Sequence, residues 1–418
     1  MSSMPVLKNA PDEGRTLSFL SGNLAQVDVA KIERELNRLW DSAGRAAGEE
    51  DLAWKPVIRA CALNMVLLCE EENERKFEGL LSEITVRHPC RAILAVIASA
   101  PVEKVEAWVT AHCHFLPGRL DKQMCCEQIT VKWSGTAFVS TGLASVVTPL
   151  VIPELPSWLF AGSKQLTRAV IEPFLSYLDH LLMDSRISGA ADGKINKELV
   201  ISLISNLQIA MDLAEHAVVV DLAWLTLSAW RKAIALAFDH TDVSILPARL
   251  QAIETITIKY GGYAAGFSQA LLLATWLTTR LKLRADSGQV SQNQTNSASK
   301  SGLTALFKSE SGSQSVNVIL HEADNLSAGV NSFEMTFGDG DDKLNVDFAG
   351  GALKVSNDGS EEYMELPWSS TRDKEGAGEP AFTELVDFAF EHSAKDPIYL
   401  AAAKGAGDLL KLISQGSK

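Results

Sequence analysis

The stretch DLAWLTLSAWRKAIALAFD, residues 221–239, carries an Asp at each end, two tryptophans and a Trp-Arg pair. It holds no residue poised as a nucleophile. Its spacing predicts strand, turn and then an amphipathic helix. Ser228 can cap that helix, and Trp230, Ile234, Ala237 and Phe238 share one face with Leu227 just before. Asp221 and Arg231 fall at predicted element ends, where the carboxyl edge of a sheet offers a ligand crevice. Arg91 and Asp184 also lie near predicted strand ends. Arg91, Asp184, Asp221 and Arg231 are therefore the candidates for holding a small ligand, although a structural ion pair is the commoner fate of such residues.

Other constellations are weaker. His112 and His114, two apart, would share a strand face, which can suit a metal, but no third ligand has fitting spacing. The loop GDGDD, residues 338–342, has the residue types of a calcium loop without its length or closing Glu, so it reads as a hairpin turn. Asp179 and Asp184 flank HLLM as a possible acid–base pair, with capping or ion pairing the simpler role. There is no GxxxxGK[ST], no GxGxxG after a strand and no GxSxG elbow, so no cofactor is expected and no catalytic set stands out.

Two kinds of element must position these residues. Up to about residue 285 strands and helices alternate. VIRACALNMVLLC (57–69) reads as one strand buried on both faces, and 92–99, 124–133, 218–222 and 253–260 also read as strands. Residues 28–43, with Ile32, Leu36, Leu39 and Trp40 at helical spacing, and 196–214 read as helices. AAGFSQALLLATWLTTRLKL closes the region as a long helix. That pattern predicts an α/β domain over 28–285, a mainly parallel sheet covered by helices, behind an N-terminal extension, 1–27. Residues 286–302, DSGQVSQNQTNSASKSG, read as a flexible linker. Beyond it the period becomes two: Phe333, Met335 and Phe337, then Leu344, Val346 and Phe348, alternate with polar residues. Two helices follow, so 303–418 is predicted as a second, smaller, acidic α+β domain.

Composition narrows the function. The 418 residues, 46% hydrophobic and 22% charged, suit a globular protein of two or three domains. The net charge is −14, and residues 285–418 hold 21 Asp and Glu against 10 Lys and Arg. Such a surface repels phosphate backbones, so nucleic acid is not an expected partner. No apolar run approaches about 18 residues, so no membrane span is expected. The start lacks a basic segment followed by an apolar core, so no signal peptide is expected. The six cysteines, at 61, 69, 90, 113, 125 and 126, lack zinc spacing and are expected as reduced, buried thiols. A thiol switch at Cys61, Cys69 or Cys90 is the sharper alternative. On one extended strand Cys61 and Cys69 would be about 26 Å apart and could not bridge.

The ordered series NMVLL (64–68), HPCRAIL (88–94), CEQITV (126–131), LPSWLFAG (155–162), DHLLMDSR (179–186), DLAWLTLSAWR (221–231) and LLLATWLTTRL (271–281) resembles the glucose-6-phosphate dehydrogenase assembly protein family, the OpcA type. The resemblance spans roughly residues 30–284. It implies a cytoplasmic, non-catalytic partner of glucose-6-phosphate dehydrogenase that promotes the enzyme's active oligomer and so feeds the oxidative pentose phosphate pathway. Interface energy concentrates on aromatics and arginines, which makes Trp158, Trp224, Arg231 and Arg280 the candidate partner contacts. The chain departs from the family's Asp-Leu-Asn-Trp-x-Arg-Leu-x-Pro-Trp-Arg pattern. Ala223 stands where Asn is usual, Thr226 where Arg is usual, and Cys90 replaces a Ser. The alternative reading is a sugar-phosphate-binding protein or minor enzyme on the same scaffold, using Arg91, Asp184, Asp221 and Arg231.

Overall fold

The computed structural model describes residues 18–22, 29–46, 57–116, 119–135, 140–161, 167–186, 195–239, 243–295, 298–323, 326, 328–338, 342–349, 351–357, 360–367 and 382–416. It divides into two compact units, Met1–Leu182 with His216–Val218, and Met183–Glu215 with Val219–Lys418.

The first unit runs β1 (Ser18–Gly22), α1 (Val29–Ala46), β2 (Val57–Arg59), β3 (Leu63–Glu70), α2 (Glu74–Arg87), β4 (Cys90–Ser99), β5 (Lys104–Leu116), β6 (Arg119–Gly135), α3 (Ser140–Val147), β7 (Ser157–Ala161), α4 (Arg168–Ile171) and β8 (His180–Met183). The strand order is β1-β5-β6-β4-β3-β7-β8. The next strand along the chain is β9 (Val218–Asp221). The centre is parallel, through β6-β4-β3-β7, and β1 and β5 add an antiparallel margin. Met65–Cys69 and Ala92–Val96 are buried, as unbroken apolar runs in a central parallel sheet should be. Ile32 and Leu36 are fully buried in α1, matching their spacing, while the side chain of Leu39 lies outside the described residues. The run 57–69 is not one strand. It breaks at Ala60–Ala62, and β2 pairs with β6 while β3 pairs with β4 and β7. An apolar run cannot mark such a break, because the residues on either side of it are alike in hydrophobicity.

Asn64 opens β3. Its side chain donates to the carbonyls of Ile152 (2.9 Å) and Leu155 (3.2 Å) and to Ser157 Oγ (3.1 Å), and its Oδ1 accepts from Ile152 N at 2.9 Å. The quoted segments NMVLL and LPSWLFAG are thus tied together by one buried amide.

The second unit contains α5 (Lys197–Leu213), α6 (Leu222–Thr226), α7 (Ser228–Asp239), α8 (Leu246–Gln251), β10 (Ile253–Gly261), α9 (Tyr263–Arg280), β11 (Leu283–Thr295), β12 (Ala298–Ser309), β13 (Ser315–Glu322), β14 (Gly329–Phe337), β15 (Asp342–Ala349), β16 (Ala352–Asn357), β17 (Ser360–Pro367), α10 (Phe382–Glu391) and α11 (Pro397–Gly416). Its eight strands lie in the order β11-β12-β13-β10-β14-β15-β16-β17, antiparallel except for β10 beside β13. Phe333, Met335, Phe337, Leu344 and Val346 are buried, so the period-two reading holds, and β14 and β15 pair antiparallel.

The expected linker, 286–302, lies inside this unit and is paired. Its described residues, 286–295 and 298–302, belong to β11 and β12, in register from Ser287 opposite Leu306 to Thr295 opposite Ala298. Gly288 shows why a polar segment is held: a Cβ there would meet Leu409 at 3.0 Å and Ile413 at 3.1 Å, so α11 packs directly on the strand. The compact unit therefore starts near Met183, well before residue 303.

Gly262 is the residue just before α9, at φ 69°, and a Cβ there would lie 2.8 Å from Cα of Ala328. Both the left-handed backbone and the close approach require glycine. Gly262→Ala should destabilise the protein by about 1–3 kcal/mol, measured by denaturant unfolding.

Candidate functional site

The second unit gathers Asp221, Trp224 and Arg231 from the stretch 221–239 around Asp396 and Tyr399 of the α11 start. Asp221 ends β9 and caps α6. Its Oδ1 accepts from Ala223 N at 3.0 Å and Ser185 N at 3.1 Å, and its Oδ2 accepts from the Tyr399 hydroxyl at 3.0 Å. It is 1% exposed. Burial pushes its carboxyl up to about 6; bonds from Ser185 and Tyr399 oppose the rise, and the nearby Asp184 charge adds to it. Burial, together with the Asp221 charge, also holds the Tyr399 hydroxyl well above its ordinary value. The cap of this stretch is Asp221, at the first turn; the expected cap, Ser228, is the first residue of α7.

Trp224 is buried at 3% exposure, donates Nε1 to Asp396 Oδ2 at 2.8 Å, and has its ring centroid 5.7 Å from that of Tyr399. Asp396 Oδ1 accepts from the amides of Ile398 and Tyr399, both at 2.9 Å, so one carboxylate caps α11 and anchors the indole. Pro397 follows at the first helical position, where a missing N–H is harmless. Arg231 lies over the Trp224 ring at 3.5 Å and donates Nη1 to the Trp224 carbonyl at 2.7 Å. Burial lowers its pKa to about 10, against the opposing Asp396 charge, and it stays a cation at neutral pH. Thr226 donates to Ala223 O at 2.7 Å and accepts from Gln269 Nε2 at 2.8 Å. Asp184 is held by Arg186 through Nε (2.8 Å) and Nη2 (2.7 Å).

Arg91 belongs to a second network, in the first unit. Its Nε donates to Glu127 Oε1, and its Nη1 donates to Glu33 Oε1 at 2.9 Å and to Leu150 O at 2.8 Å. Glu127 Oε2 also accepts from Arg59 Nη2 at 2.7 Å and Trp40 Nε1 at 3.2 Å. Arg91 and Glu127 are both buried. The expected crevice residues therefore divide between two networks, and each is tied to groups of its own chain.

Two expected partner contacts are interior. Trp158 is buried in β7, stacked on His180 at 4.2 Å, and Trp224 is buried as described. Residue type marks an aromatic as a strong interface former; it does not tell whether a sheet covers it. Arg231 is half-buried and Arg280, at the end of α9, is exposed. His112 bonds Gln128 at 2.7 Å, and the described residues hold no cluster of three or more metal-ligand side chains. Cys61, Cys69, Cys90 and Cys126 are free thiols, and burial raises the pKa of Cys69 to about 12 and of Cys126 to about 11. Cys125 departs from the expectation of reduced thiols: it is disulfide-bonded. Sequence reasoning missed Tyr399, Asp396, Ser185 and Glu127. Only Asp396-Pro397, a cap followed by proline, carried a local signal.

Two family profiles match this chain. Residues 81–197 match the N-terminal domain of the glucose-6-phosphate dehydrogenase subunit family, and residues 217–403 match the C-terminal domain of the same family. The chain belongs to that family. The gap between the two profiles falls beside the division of the compact units, and 286–302 lies inside the C-terminal profile. The chain is 27% identical over 210 residues to a Synechocystis sp. protein named OxPP cycle protein OpcA, covering 49% of this chain and 39% of that one. Over 205 residues it is 27% identical to the protein of that name in Nostoc punctiforme, covering 49% and 40%. The matched span is thus less than half the length of these relatives. An oxidoreductase from Sinorhizobium meliloti is similar at 10% identity and TM-score 0.48, covering 85% of this chain and 97% of that one. The transcriptional regulator Gal80p from Kluyveromyces lactis is similar at 8% identity and TM-score 0.42, covering 85% and 91%. Neither distant likeness bears on activity.

Two outcomes test this geometry. Asp221 has a folded pKa near 6, above its unfolded value of about 3.9. The stability it contributes is present below about pH 4 and is lost as pH rises through about 6. Relative to Asp221→Asn, the wild type should therefore lose up to about 3 kcal/mol between those pH values, read from paired urea titrations. Arg91→Ala leaves the buried Glu127 short of its closest cation and should cost about 3–5 kcal/mol in the same assay.

Proposed function

We propose that this chain is a non-catalytic, cytoplasmic partner of glucose-6-phosphate dehydrogenase that promotes the enzyme's active oligomer or conformation in the oxidative pentose phosphate pathway. The observation that carries the reading is the pair of glucose-6-phosphate dehydrogenase family profiles, one on residues 81–197 and one on 217–403. The internal chemistry favours a non-catalytic role. Asp221 has the raised proton affinity of an acid–base group, but its oxygens face two amides and a phenol of its own chain. Arg231 is taken up by Trp224, Arg91 by Glu127 and Glu33. No described helix is long and apolar enough to cross a membrane.

Activation of this kind is a shift of an equilibrium. A partner that binds the active form tenfold more tightly moves the enzyme's balance by about 1.4 kcal/mol. Of the arginines and aromatics expected at such a contact, exposed Arg280 is the accessible one.

The purified chain should co-elute with glucose-6-phosphate dehydrogenase and raise its specific activity, and Arg280→Glu should lower the affinity by up to about tenfold. Absence of both co-elution and activation at micromolar concentration sinks the reading. So would turnover of a sugar phosphate by the chain alone, with that activity abolished by Asp221→Asn.

A further inference from the structure

The sheet of the second unit has two unlike faces. The apolar face receives three helices: Phe238 of α7 meets Phe337 at 6.5 Å, Phe267 of α9 meets Tyr260 at 6.0 Å, and Leu409 and Ile413 of α11 meet Gly288. The register sets the opposite face just as firmly. Thr304, Ile319, Thr257, Glu334, Asn345 and Ser356 stand side by side across β12-β13-β10-β14-β15-β16. All six are partly exposed.

We infer that this face docks against the same face of a second copy of the chain. Area is the first reason. Eight strands at about 4.8 Å spacing make a surface about 34 Å wide, and six residues along each strand make it about 20 Å long. The product, about 700 Å² per copy, approaches the roughly 800 Å² per partner of a standard stable interface.

Charge is the second reason. Two copies of a chain at −14 repel over most of their surface. Across β10, β14, β15 and β16 this face carries Lys259, Lys343 and Lys354 beside Glu334 and Asp347, so these strands hold no carboxylate excess. Lys343 and Glu334 already pair within the face, at 3.6 Å. The third reason is the side chains themselves. Short Thr, Asn and Ser around a central Ile319 lose little conformational entropy on ordering and can exchange hydrogen bonds. They also allow two twisted sheets to approach to the usual 10 Å or so of face-to-face packing.

The test is the molar mass of the full chain in solution, by light scattering during gel filtration. The wild type should run at twice the chain mass at micromolar concentration. Thr257→Arg, which puts an unpaired cation at the centre of the row, should weaken the dimer by roughly 100-fold, with the circular dichroism spectrum unchanged. Lys259→Glu, at a more exposed site, serves where Thr257→Arg disturbs folding, and should weaken the dimer in the same direction. A monomeric wild type overturns the inference, as does a dimer that survives both substitutions. If the chain is a monomer and Thr257→Arg abolishes its co-elution with the dehydrogenase, the face belongs to the enzyme, and the second-copy assignment fails while the proposed function stands.

Discussion

A carboxylate taken out of water must be met by donors, and Asp221 is where this chain answers that demand. Its three partners come from three places in the sequence: Ser185 after β8, Ala223 in the first turn of α6 and Tyr399 in the first turn of α11. An unpaired buried charge would cost several kcal/mol, so β9, α6 and α11 are held in one arrangement by the need to satisfy two oxygens. Tyr399 and Asp396 then fix Trp224, and Trp224 fixes Arg231. Each link is short-ranged, but the chain of links spans residues 185 to 399 within the second unit.

The first unit repeats the device with different residues. Glu127 on β6 is met by Arg91 on β4, Arg59 on β2 and Trp40 on α1. Asn64 does the same with neutral groups, tying the start of β3 to the segment before β7. This gives physical content to the ordered segments on which the family resemblance rests. HPCRAIL supplies Arg91 and CEQITV supplies Glu127; DHLLMDSR supplies Ser185 and DLAWLTLSAWR supplies Asp221. They are the two halves of buried polar contacts, and a polar group facing a buried partner tolerates little change. The second unit's eight-stranded sheet has one face opposite its packed helices.

Much of the fold was legible because periodicity is a local consequence of burial. The alternation at Phe333, Met335 and Phe337 and the unbroken apolar run at Ala92–Val96 each report one face or two faces covered. The segment 286–302 was not legible. Its Ser, Gln and Asn residues give no hydrophobic signal, and its strands exist because β12 pairs with β13 and α11 presses on Gly288. The break at Ala60–Ala62 was hidden for the opposite reason: two apolar segments in succession read as one run.

The candidate site divides the same way. Sequence alone determined that Asp221 ends a strand and that Arg231 lies on a following helix; where a turn was expected between them the structure has a further helix, α6, which holds Trp224. Sequence also determined the family, through the order of seven short segments along the chain. Only the tertiary structure decided that Tyr399 closes the Asp221 cluster, that Arg91 faces Glu127, and that Trp158 and Trp224 are interior rather than surface residues. The reason is range. Hydrogen bonds and ring contacts act over a few ångströms, and which residues come that close, 178 positions apart for Asp221 and Tyr399, is set by the packing of whole elements.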